Sequence, residues 1–105
     1  MKIGPKTKTK FVEALRSGRY KRCTGQIRKG DRYCLLGVLA DIVEPNGWSE
    51  GYGGEYRHKG HLIDLSPETA KRCGIDGEAR EKFVNLNDEC RWTFKRSADW
   101  IERNL

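Results

Sequence analysis

The sequence predicts an α+β fold in a single small domain, on three observations. Tyr33–Val43 is the one long apolar run, and Leu35, Leu36, Leu39, Ile42 and Val43 recur at the spacing that lines one helical face. Residues 26–33 and 55–64 are short segments turning at Lys29-Gly30-Asp31 and at Lys59-Gly60, the pattern of hairpins. A chain of 105 residues holds one core, built from a few helices and a small sheet.

Residues 1–8 are lysine-rich with Gly4-Pro5 and no apolar period, so a flexible basic arm is expected there, followed by a globular domain over 9–105. Thr9 is suited to cap a helix over 10–16, with Phe11, Ala14 and Leu15 facing inward and Gly18 ending it. Gln26-Ile27-Arg28 and Arg32-Tyr33 flank Lys29-Gly30-Asp31 as a tight hairpin that leads into the central helix. Val38 and Ala40 widen that helix's apolar face, so other elements should enclose it. Gly37 costs about 1 kcal/mol against alanine in a helix interior, which points to a second backbone packed close to it. Glu44-Pro45 ends the helix.

Residues 45–54 read as loop. Residues 55–58 and 61–64 read as a second hairpin turning at Lys59-Gly60. Ser66-Pro67-Glu68 is a helix start with cap, proline and first-turn acid in place, and that helix should stop at Gly74. Residues 78–86 place Ala79, Phe83 and Leu86 on one face. Thr93 caps a last helix with Phe94, Ala98, Ile101 and Leu105 inward.

Charge is laid out unevenly. Residues 1–33 hold eleven Lys and Arg against Glu13 and Asp31, while the remaining 72 residues carry a slight excess of acid. One-sided charge attracts anions at long range. The expected anion-binding set is Arg19, Lys21, Arg22, Arg28, Lys29 and Arg32, with the three hairpin residues as its rigid centre and nucleic acid or a nucleotide as first partner. An acidic protein surface is the alternative partner. No apolar run approaches the 18 residues of a membrane span, and no apolar stretch follows the N-terminal lysines as in a signal peptide, so a cytoplasmic place is expected.

Trp48, Tyr52, Tyr56 and Arg57, set among glycines, form a candidate loop for stacking on a nucleobase, although the pattern matches no phosphate loop or dinucleotide fingerprint. The competing reading is a surface loop with Trp48 tucked onto the core. His58 and His61 would face each other across a turn, and with Asp64 they supply the donors of a minor alternative, a metal-assisted hydrolase. The reading that ranks first has no metal, no cofactor and no catalytic residue. Asp41, the one charge within 33–43, is expected to pair with an arginine of the basic third. Of the four cysteines, all expected as free thiols, Cys34 reads as core and Cys23, Cys73 and Cys90 as loop-side.

Glu13-Ala14-Leu15-Arg16-Ser17-Gly18 with Tyr20, and then Tyr33-Cys34-Leu35-Leu36-Gly37-Val38-Leu39-Ala40-Asp41, resemble a family of small phage and bacterial proteins without an assigned activity. Leu86-Asn87-Asp88, with Phe94, Ala98, Asp99, Ile101 and Glu102, resembles that family's ending. Members often carry a second cysteine where Leu35 stands here, which argues against a cysteine pair as a required ligand set at this point. The resemblance implies either an accessory nucleic-acid factor or a host-takeover or anti-defence protein that blocks a host component.

Overall fold

The central run folds as helix α2, Leu35–Val43, and its first six residues are all buried. Cys34 caps it, the sulfur accepting the Gly37 N–H at 3.4 Å. Gly37 has the close neighbour its placement implies: a β-carbon there would land on the Ile27 carbonyl. That contact seats the first hairpin against the helix. The computed structural model describes all 105 residues as five helices with a three-stranded and a two-stranded sheet, an α+β fold.

Helix α1 runs from Pro5 to Arg16, starting earlier than the Thr9 cap implies. Pro5 stands in the first turn, where its missing N–H costs nothing. The Gly4 N–H bonds the Cys73 carbonyl at 3.0 Å, and Lys8 Nζ reaches the Glu102 carbonyl at 3.2 Å. Residues 5–8 are thus helical rather than part of an arm, because lysine supports a helix well when the apolar face of Phe11, Val12, Ala14 and Leu15 anchors it.

Strands β1 (Lys21–Arg22), β2 (Arg28–Lys29) and β3 (Arg32–Tyr33) form the first sheet, with β3 in the middle. The β2–β3 hairpin is the one expected, and β1 joins it in parallel. The second sheet differs from expectation. Strand β5 (Tyr56–His58) pairs with β4 (Trp48–Glu50), inside the stretch read as loop, in the register Trp48 to His58 and Glu50 to Tyr56. His61 makes only a bridge to His58. Trp48 decides this: a half-buried indole packed on the core fixes β4 as the better partner, a tertiary effect that local pattern does not carry.

Helix α3 (Pro67–Cys73) has its Ser66 cap and its left-handed Gly74 stop. Helix α4 (Gly77–Val84) runs into one π-helical turn, Asn85–Glu89, and α5 spans Phe94–Asn104 behind Thr93. Cys73, expected beside a loop, is fully buried in the core. Phe11 and Phe83 meet edge to face at 5.5 Å, and Arg16 binds Asp99 at 2.7 Å and Glu102 at 3.0 Å, holding α1 to α5. No helix is long and apolar enough to cross a membrane.

Candidate functional site

Alternation along two paired strands sorts the first hairpin into two faces. Arg28 stands opposite Tyr33, and Lys29 opposite Arg32. The inner pair joins an aromatic cluster. The Arg28 guanidinium lies 3.8 Å from the centre of the Tyr56 ring, 4.9 Å from Tyr33 and 5.1 Å from Trp48, and its Nε donates to the Gly30 carbonyl at 2.8 Å. A cation among three electron-rich ring faces is held by their quadrupoles. Beneath the rings, Asp41 accepts the Tyr20 hydroxyl at 2.5 Å and the Trp48 indole N–H at 2.9 Å. Asp41 therefore pairs with two aromatic donors and with no arginine, because the residue that enters β1 and the first residue of β4 bring those donors to α2, while Arg28 lies against the rings of Tyr33, Trp48 and Tyr56.

These bonds leave their mark on acidity. Burial, and then the bond to Asp41, push the Tyr20 hydroxyl above the ordinary tyrosine range. Burial, with the Asp41 charge second, raises Tyr33 as well.

The six expected anion-binding residues do not act as a set. Arg28 is enclosed as described. Arg22 donates to the Asn87 carbonyl at 2.9 Å, Lys21 pairs with Asp31 at 3.3 Å, and Arg19 donates to Ser17 Oγ at 3.3 Å beside the Tyr20 ring. Lys29 and Arg32 alone are exposed and carry no hydrogen bond or ion pair. A groove of about 500 Å³ beside α1 holds Lys10 and Arg19, but Glu13 and Asp41 line it too, which offsets their field.

The aromatic loop also divides. Trp48 and Tyr56 belong to the Arg28 cluster, and Arg57 pairs with Glu55 at 3.1 Å. Tyr52 is 99% exposed. What unites loop and hairpin is main chain. The Gly30 N–H donates to the Gly54 carbonyl at 2.7 Å, and Lys29 bridges to Glu55. The two tips thus form one surface carrying Lys29, Arg32 and Tyr52. Sequence reasoning placed these residues in two separate sites and missed Tyr20, Tyr33 and the true role of Asp41. The two-residue alternation over 28–33 was the signal that put Arg28 and Tyr33 on one side.

The hydrolase donors separate. His58 is fully buried, its ring 4.8 Å from that of Trp48, and its Nε2–H donates to the Glu44 carbonyl at 2.8 Å. Asp64 binds Arg80 at 2.9 Å and accepts the Leu65 N–H, while His61 is exposed. No three His, Cys, Asp or Glu side chains converge as a metal site would require. The nearby Glu44 carboxylate is buried between Lys59 and Arg72, each at 3.1 Å. Burial alone would raise its pKa, but the bonds to Lys59 and then Arg72 outweigh that and hold it below the usual carboxylate range.

Asn87, in the π-helical turn, donates to the Cys23 carbonyl at 2.9 Å and so fastens the β1–β2 loop. All four thiols are free, and burial pushes Cys34 up to about 12, far from a reactive thiolate.

The sequence profile of a domain of unknown function, DUF8296, matches residues 3–68, more than half of the chain, and the protein belongs to that family. No curated protein and no solved structure matches it. The matched span takes in both hairpins, α2 and the whole Arg28 cluster.

Proposed function

We propose that this DUF8296 protein is a binding module rather than an enzyme, and that Lys29 and Arg32 contact the phosphates of a nucleic acid in the cytoplasm. The observation that carries the reading is the Gly30–Gly54 main-chain bond, which docks the turn holding the two unpaired cations against the exposed tip of the second sheet. Arg19, Lys21, Arg22 and Arg28 are already engaged by the chain itself. The anionic partner therefore meets a small, rigidly mounted pair of charges rather than a diffuse basic surface. Exposed cations in no ion pair stay open to phosphate and release counterions on binding.

The test is fluorescence anisotropy with labelled oligonucleotides from low to physiological salt. Each phosphate contact contributes about 0.7–0.9 log units of affinity per tenfold salt. The variant Lys29→Ala/Arg32→Ala should flatten that slope by about two contacts. An absence of binding even at low salt would reject nucleic acid and favour an acidic protein surface as the partner.

A further inference from the structure

We infer that Tyr52 is a base-stacking residue and that the partner of the Lys29–Arg32 turn is single-stranded, an inference that rests on the nucleic-acid reading above. A tyrosine ring that is 99% exposed leaves its apolar faces to water, and no other aromatic side chain of this protein is so bare. Trp48 and Tyr56 are committed to Arg28, so Tyr52 is the one ring of the loop open to a ligand.

The main chain that carries the ring is tied rather than loose. The Gly51 N–H donates to the Glu55 carbonyl at 2.7 Å, and the Glu55 N–H donates back to the Tyr52 carbonyl at 3.1 Å. Gly53 and Gly54 follow with φ of 64° and 79°, a left-handed pair that turns the chain back toward Gly30. Tyr52 thus stands two residues from the bond that joins its loop to the basic turn, where Lys29 bridges to Glu55 and pairs in register with Arg32.

An aromatic face beside two phosphate-binding cations is the arrangement that holds one base and its backbone. In a duplex both faces of an interior base are covered by its neighbours. An unpaired base offers a free face, so the open ring selects single strands. Stacking tolerates any base, and the selection is for strandedness rather than sequence.

The experiment compares a labelled pyrimidine strand, the same strand made abasic, and a duplex, against the full chain and the variants Tyr52→Ala and Tyr52→Trp. The expected result is tighter binding to the single strand than to the duplex. Tyr52→Ala should weaken single-strand binding by about tenfold or more with an unchanged salt slope, and Tyr52→Trp should keep it. The abasic strand should bind the unmodified protein as weakly as the intact strand binds Tyr52→Ala. Equal affinity for abasic and intact strands, a preference for duplex, or no effect of Tyr52→Ala would overturn the inference. If the salt slope still depends on Lys29 and Arg32 in those cases, the charge contact survives without the stacking. Binding of none of the probes at low salt overturns both.

Discussion

Arg28 and Lys29 are neighbours in one two-residue strand, yet they belong to different regions of the molecule. On the inner face, Arg28 and Tyr33 join Trp48, Tyr56, Tyr20 and Asp41 in a polar-aromatic cluster that mounts both hairpins on α2. On the outer face, Lys29 and Arg32 hold nothing. The difference teaches that counting cations overstates a binding surface. A guanidinium enclosed by rings and bonded to a carbonyl serves the fold, and its charge no longer offers phosphate an open approach. A like division runs through the second hairpin, where Tyr56 of β5 faces in and Tyr52, in the turn between the strands, is exposed.

The helical core sets the scale for what the inner face contributes. Leu39→Ala should cost about 2–5 kcal/mol in chemical denaturation, because it leaves a cavity in the most enclosed helix. A loss no larger than that of an inner-face variant would place the two regions on the same footing and blur the comparison.

Tyr20→Phe sharpens it next. Removing the hydroxyl strips Asp41 of its shortest bond, and the expected cost at neutral pH is about 1–3 kcal/mol. The raised pKa of Tyr20 means that the folded state favours the neutral phenol. Its contribution is therefore complete below the ordinary tyrosine value of about 10 and is lost as pH rises past it toward the folded value. Denaturation at neutral and alkaline pH should show a shallower alkaline loss in Tyr20→Phe than in the parent. An identical alkaline profile would mean that the Asp41 bond is not what protects the phenol.

Glu44 gives a smaller effect of opposite sign on the acid side. Its lowered pKa means that the stability from Lys59 and Arg72 is present above the usual carboxylate range and is lost as pH falls through the folded value. Glu44→Gln should lose part of this acid-side dependence in melting curves below pH 5, leaving the tyrosine-linked alkaline loss untouched.

Much of the fold was legible because its signals are local. The helical spacing of 35–43, the Ser66-Pro67 start, the Thr93 cap and the Lys29-Gly30-Asp31 turn each depend on a few adjacent residues. Gly37 also carried its message, since a glycine in an apolar helix implies a close backbone and Ile27 supplies it. The β4–β5 pairing, the partners of Asp41 and the engagement of Arg22 by Asn87 were not legible, because each joins residues brought together only by the finished fold. The α1 start was missed for another reason: the lysine stretch has no apolar period, and its helix is stabilised by the residues that follow it. For the candidate site, the structure groups the residues differently from the sequence pattern: Arg28, Trp48 and Tyr56 cluster together, while Lys29, Arg32 and Tyr52 stay exposed.

The division between the two faces of the hairpin is tested most directly by urea denaturation of Arg28→Ala beside Lys29→Ala/Arg32→Ala. Arg28→Ala should lose about 1–2 kcal/mol, since it removes a cation held over three rings. The double variant should stay within about 0.5 kcal/mol of the parent, as exposed unpaired charges contribute little to folding. Equal losses in the two variants, or a larger loss in the double variant, would contradict the account.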